Sequence, residues 1–141
     1  MECEDGYVHE VVLPAARRTP LIIAHRGSSK DLPEHTLKAY QRAIDEGADV
    51  LECDVRLTAD SHLVCVHDRK VDRTSNGSGI VSTLELATLE GLDFGSWKRD
   101  YGGENEMPDA DRERDMLLTL HRLIEMVMSC GREVGLVIET K

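Results

Sequence analysis

LIIAHRG, residues 21–27, decides the fold: the apolar run Leu21-Ile22-Ile23-Ala24 stops abruptly at His25-Arg26-Gly27. A short continuous apolar run closed by a turn signal reads as a buried strand. The habit recurs along the chain. Residues 50–55 form a second apolar run, interrupted by Glu52 and Asp54. Residues 63–66 form a third, leading into His67-Asp68. Residues 136–138 form a fourth, leading into Glu139-Thr140-Lys141. Each buries apolar side chains and delivers ionisable ones at or near its C-terminal end, where parallel α/β sheets place their ligand sites.

Helical patterns lie between the strands. Leu37, Tyr40 and Ile44 fall at helical spacing over residues 36–46, with Gly47 as the C-terminal cap. Asn76-Gly77-Ser78-Gly79 reads as a loop. Ser82 and Glu85 form an S-x-x-E capping box, with Val81 and Leu86 as its staple, which predicts a short helix over 83–90 stopped by Gly91. Residues 102–115, acidic and holding Gly102, Gly103 and Pro108, read as a solvated loop. Leu120, Leu123, Ile124 and Val127 mark an amphipathic helix ending near Gly131. Strands alternating with helices give an α/β architecture.

The chain has 141 residues, 40% hydrophobic and 31% charged, an ordinary balance for a globular domain. A formal net charge of −10 argues against a nucleic-acid surface. It weighs less against a small anionic substrate, because a metal ion reverses the local sign. Cys3, Cys53, Cys65 and Cys130 form no CxxC pair, so neither a disulfide framework nor a zinc site is expected. Residues 1–19 read as a leader without a secretory apolar core, and no apolar stretch reaches the roughly 20 residues of a transmembrane span. The cytoplasm is the default location.

Side chains at i and i+2 of a strand share a face, so Glu52 and Asp54 project together, with Cys53 opposite, and Glu139 pairs likewise with Lys141. Converging carboxylates repel one another and resist desolvation unless a cation joins them. Oxygen donors without cysteine favour Mg2+ or Ca2+ over zinc. His25 and His67 suit general acid and base work, and Arg26 suits phosphate oxygens. Each group has a plainer reading alone: a solvated E-x-D strand face, a core histidine, a terminal ion pair at Glu139 and Lys141. Arg69, Lys70 and Arg73 read as a solvated loop, and the histidines other than His25, His67 and His35 as surface residues.

His25-Arg26-Gly27, Pro33-Glu34-His35-Thr36, Glu52-Cys53-Asp54-Val55, His67-Asp68 and Ile138-Glu139-Thr140-Lys141 together resemble the signature of the glycerophosphodiester phosphodiesterase family. The intervals of 27 residues from His25 to Glu52 and 42 from His25 to His67 agree with it, as does the segment Asp72-Arg73-Thr74 with Gly77, Gly79, Leu92-Asp93 and Gly95. The resemblance implies a TIM (β/α)8 barrel of the phosphatidylinositol-phosphodiesterase-like type, with a small insertion over about 56–111 in a domain covering 20–141. It implies Glu52, Asp54 and Glu139 as ligands of one Mg2+ or Ca2+, His25 and His67 as acid and base, and Arg26 and Lys141 on the phosphate. The implied activity is hydrolysis of a glycerophosphodiester to glycerol 3-phosphate and an alcohol. His35 departs from the family's usual asparagine, and Ser61-His62 from its Asp-Gly-like turn.

A complete barrel of this kind takes about 250 residues. The chain is either a smaller α/β unit or a barrel cut partway round, and the chemical character of the last strand end favours the latter. Expressed alone, such a half-barrel is expected to be inactive or to aggregate. The alternatives are a metal-binding or regulatory fragment without turnover, or a phosphodiesterase directed at a lysophospholipid.

Overall fold

A computed structural model describes residues 19–101 and 116–141. Most of the expected leader and the loop over 102–115 therefore lie outside the described residues. The order is β1 (Ile23–His25), α1 (Leu37–Asp45), β2 (Val50–Leu57), β3 (Leu63–Cys65), α2 (Leu86–Glu90), α3 (Leu120–Ser129) and β4 (Gly135–Thr140), with 3-10 turns at Val81–Thr83 and Ser96–Tyr101. β2 is the centre of the sheet, pairing in parallel with β1 on one side and β4 on the other. This is the parallel α/β framework that the alternating pattern implies.

α1 forms where its apolar spacing places it. The Thr36 hydroxyl accepts from the Ala39 N–H at the N-cap, and Gly47 takes the left-handed conformation (φ +90°) after the last turn. Its buried face holds Ala39, Tyr40, Ala43 and Ile44, of which the last three pack with Leu51, Cys53 and Val55 of β2 and Leu123 of α3. α3 is capped by the Thr119 hydroxyl, which accepts from the Arg122 N–H. Arg132 then donates to the carbonyls of Ile44 and Ala48 at 2.9 and 2.7 Å, tying the end of α1 to the entry of β4.

Two readings of the sequence are corrected. β3 is not a further parallel strand: it pairs antiparallel with β2, Val55 opposite Cys65 and Leu57 opposite Leu63. β2 runs on to Leu57, and the Thr58 hydroxyl accepts from the His62 N–H while Ser61 adopts φ +67°, so the chain folds back as a hairpin. An isolated apolar run of this length has no strand direction written in it. The capping box also fails to form. Ser82 lies inside the 3-10 turn, Glu85 caps without a side-chain hydrogen bond, and the Leu86 N–H donates to the carboxylate of Asp60 in the β2–β3 turn. A long-range partner thus supplies the hydrogen bond at the helix start that local spacing assigned to Ser82 and Glu85.

A separate apolar cluster, Val64, Val66, Val71, Val81, Leu89, Phe94 and Leu117, lies beneath the segment that follows β2. Ile22 just before β1, Ile23 on β1, and Val137 and Ile138 on β4 are exposed, and no strand pairs with the free edges of β1 and β4 among the described residues. No helix of the described residues is long and apolar enough to cross a membrane.

Gly27 is where β1 turns toward α1. It holds φ +80°, and a Cβ there would meet the Ala39 backbone carbon at 2.8 Å. Gly27→Ala is therefore expected to destabilise the fold by about 1–3 kcal/mol, through overpacking and a left-handed backbone. Urea unfolding midpoints check this; an unchanged midpoint contradicts it.

Candidate active site

The sheet register assembles the site. His25 on β1 is level with Glu52 on β2, and Asp54, two residues further on, is level with Glu139 on β4. Parallel strands in register place such side chains side by side at the carboxyl end of the sheet. Carboxylate oxygens of Glu52, Asp54 and Glu139 all lie within 4.8 Å of one another. Glu52 and Asp54 are buried; Glu139 is exposed.

Basic residues surround them. The Arg26 backbone N–H donates to Glu52 Oε2 at 3.0 Å, and its Nε lies 3.1 Å from Asp54 Oδ2. His25 Nε2 stands 3.8 Å from Glu52 Oε2, its side chain largely in solvent. Lys141 Nζ lies 3.2 Å from Asp54 Oδ1 and also binds Glu139. Arg26 achieves this from a left-handed backbone, φ +60°, uncommon for a residue with a side chain and frequent at functional sites.

The two carboxylates of β2 respond differently to these surroundings. Burial, followed by repulsion from Asp54, raises the pKa of Glu52 despite the Arg26 N–H. Burial also pushes Asp54 upward, but the hydrogen bond from His35 and the nearby ammonium of Lys141 outweigh it and hold that carboxyl below its ordinary value. Glu52 Oε1 is buried with no hydrogen-bond partner, and Asp54 Oδ1 has only the ion-pair contact with Lys141, without hydrogen-bond geometry. Converging carboxylate oxygens, one of them buried without any donor, are a hard donor set that suits a divalent cation. The residues present fit such an ion.

His35, which carries no strand-end signal in the sequence, proves to be part of this architecture. It is buried, holds φ +58°, and brings Nε2 to 3.1 Å from Asp54 Oδ2 and Nδ1 to 2.8 Å from the Tyr40 hydroxyl. Burial, opposed by Asp54, lowers its pKa to about 4, so the ring is neutral near pH 7. The Tyr40 hydroxyl is also 3.0 Å from the Glu52 carbonyl oxygen. The phenol has a single proton, which goes either to that carbonyl or to the Nδ1 of the neutral His35 ring, so it links the backbone of Glu52 to the imidazole beside Asp54 by one shared donor. Tyr40→Phe is expected to cost about 1–3 kcal/mol by stranding buried polar groups. Chemical denaturation checks it, and a loss below about 0.5 kcal/mol contradicts it.

His67 follows the β2–β3 hairpin. Its carbonyl accepts from Arg56 Nε and Nη2, the Val66 N–H donates to the Asp54 carbonyl, and Nδ1 lies 2.8 Å from Asp68 Oδ1. His67 and His35 line one small pocket together with Glu34, Thr74 and Phe94. Arg73 is exposed, as the loop reading of the sequence has it, and it is also ion-paired with Glu34 and Asp68. A structure was needed to find it, because its partner Glu34 lies 39 residues away.

Comparison with known proteins agrees with this geometry. The family model described as "Glycerophosphoryl diester phosphodiesterase family" matches residues 25–141. A Mycobacterium tuberculosis protein named "Probable glycerophosphodiester phosphodiesterase 1" is 51% identical over 122 residues, covering 86% of this chain and 43% of that protein. A glycerophosphodiester phosphodiesterase of Caldanaerobacter subterraneus is 40% identical, covering 83% of this chain and 51% of its own length. The chain thus spans about half the length of the curated relatives it matches. Among solved structures, an Oleispira antarctica phosphodiesterase in complex with the product sn-glycerol-3-phosphate superposes with a TM-score of 0.72 at 36% identity, over 86% of this chain and 44% of that one. A glycerophosphodiester phosphodiesterase of Agrobacterium tumefaciens gives 0.71 at 31% identity, over 86% and 47%. With the α/β-barrel fold of these neighbours and the motif residues in place at the strand ends, the chain belongs to the glycerophosphoryl diester phosphodiesterase family.

Proposed function

We propose that the protein carrying this chain hydrolyses glycerophosphodiesters to glycerol 3-phosphate and an alcohol, with a divalent cation held by Glu52, Asp54 and Glu139. The observation that carries the reading is the convergence of the three carboxylates, with one buried oxygen of Glu52 lacking any donor. When bound, Mg2+ or Ca2+ supplies Lewis-acid stabilisation of charge on the phosphoryl oxygens. Arg26 and Lys141, already at the rim of the cluster, hold the remaining phosphate charge. Of His25 and His67, one takes the proton from the attacking oxygen and the other gives a proton to the departing alcohol oxygen as the phosphorus–oxygen bond breaks. The attacking oxygen belongs to water, or first to a glycerol hydroxyl through a cyclic phosphate that water then opens. Free Cys53, Cys65 and Cys130 support a reducing compartment, the cytoplasm.

The test is release of glycerol 3-phosphate from glycerophosphocholine by the full-length protein. Release is expected with Mg2+ or Ca2+ present and is expected to stop on chelation. Cation binding without release supports a metal-binding protein with no turnover. Release from a lysophospholipid alone moves the substrate class. Either result contradicts the proposal.

A further inference from the structure

Arg73 lies outside the carboxylate cluster, yet it connects both sides of the reaction centre. Nε donates to Asp68 Oδ2 at 2.8 Å and Nη2 to Asp68 Oδ1 at 3.1 Å. On its other edge, Nη1 donates to Glu34 Oε2 at 3.0 Å and Nη2 to Glu34 Oε1 at 2.8 Å. One guanidinium thus grips a carboxylate on each of two edges, a geometry that a lysine ammonium cannot reproduce. Its Cζ also sits 5.9 Å from the Trp97 ring centroid, within cation–π range.

Each gripped carboxylate holds a residue of the proposed chemistry. Asp68 Oδ1, shared with Arg73, is 2.8 Å from His67 Nδ1. Glu34 Oε1, likewise shared, accepts from Arg26 Nη1 at 3.3 Å. The result is a continuous chain, Arg26–Glu34–Arg73–Asp68–His67, joining the turn after β1 to the segment after β3. Glu34 and Asp68 come from separate loops and carry like charge, so without the cation between them nothing in this chain of contacts would hold them together.

We propose that Arg73 is a positioning residue: by fixing Asp68 it keeps the His67 proton on Nδ1 and leaves Nε2 to exchange protons with substrate, and by fixing Glu34 it sets the reach of Arg26. The carboxylate partner of an imidazole selects its tautomer, and the partner's own anchoring sets how firmly. Both carboxylates stay ionised. Arg73, then His67, holds Asp68 well below the ordinary carboxylate range. In Glu34 the Arg73 contacts, with Arg26, outweigh a burial that acts in the opposite direction. The inference rests on the proposed roles of His67 and Arg26, and one of its tests is independent of them.

The experiment compares the full-length wild type with Arg73→Gln in two measurements. Steady-state hydrolysis of glycerophosphocholine is expected to show kcat lower by about 10–100-fold, with divalent-cation affinity unchanged. Side-chain 15N NMR above the imidazole titration is expected to show His67 as the Nδ1–H tautomer in wild type. In the variant it should shift toward the Nε2–H form that free histidine prefers. A purely structural arginine would lower the unfolding midpoint without moving the tautomer. Wild-type kcat in Arg73→Gln, or an unmoved tautomer, overturns the proposal. If Arg73→Gln does not fold, Arg73→Lys, which keeps the charge and loses the double grip, decides by the same measurements and the same criteria. A wild type that releases no glycerol 3-phosphate sinks the functional reading, while the tautomer comparison still decides whether Arg73 positions His67.

Discussion

Replacing Glu52 by glutamine is expected to weaken divalent-cation binding by about 10²–10³-fold while leaving the cation-free protein no less stable. Loss of one member of a buried charge pair costs about 3–5 kcal/mol, and the lower part of that range, about 3–4 kcal/mol, is that factor in affinity. The stability half of the expectation follows from the raised pKa of Glu52, caused by burial and then by Asp54. A carboxyl raised in the fold binds its proton more tightly there than in the unfolded chain. Its contribution to stability is therefore present below the ordinary glutamate pKa and is lost as pH rises through the raised value. Glu52→Gln removes that loss and keeps an oxygen for the Arg26 N–H. Cation binding has the opposite dependence: it expels the proton, so wild-type affinity rises with pH through the same window. Calorimetric titration with Mg2+ or Ca2+ at several pH values, with urea unfolding of both proteins, reads every part. Wild-type affinity in the variant contradicts the ligand role. A marked loss of cation-free stability would instead mark the Glu52 charge as structural.

His25→Ala and His67→Ala are each expected to lower kcat by about 10²–10⁴-fold, the usual yield of one acid or base, with cation affinity within a few-fold of wild type. The two histidines suit this separation. His25 approaches Glu52 no closer than 3.8 Å and is largely solvent-exposed, so its removal opens no cavity. His67 is only partly buried and is fastened through Asp68 rather than through the carboxylate cluster. Loss of turnover alongside intact cation binding therefore reports proton transfer and not collapse of the site. Unchanged kcat in either variant removes that histidine from the chemistry.

The strand ends were legible because period two and parallel register are local rules with a long reach. Once 50–55 is a strand, Glu52 and Asp54 share a face, and a parallel neighbour places Glu139 beside Asp54. α1 was legible for a similar reason, its N-cap and C-terminal glycine being written in one short stretch of chain. What the sequence could not show depends on partners far along the chain. Asp60 supplies the hydrogen bond at the start of α2 that local spacing assigned to Ser82 and Glu85, and β3 reverses because β2 outruns its neighbours. His35 and Arg73 owe their importance to Asp54 and Glu34, 19 and 39 residues away. For the first, its place directly before a helix cap, within Pro33-Glu34-His35-Thr36, was the available signal. Arg69, Lys70 and Arg73 read as a solvated loop, and Arg73 is exposed, but charge composition carries no information about its pairing with Glu34 and Asp68.

The most direct measurement is anomalous diffraction from crystals of the full-length protein soaked in Mn2+ or Ca2+. A single strong peak is expected, with oxygens of Glu52, Asp54 and Glu139 at about 2.0–2.6 Å from it. A peak elsewhere, or none at saturating cation with Asp54 still paired to Arg26 and Lys141, would contradict a cation held by these three carboxylates.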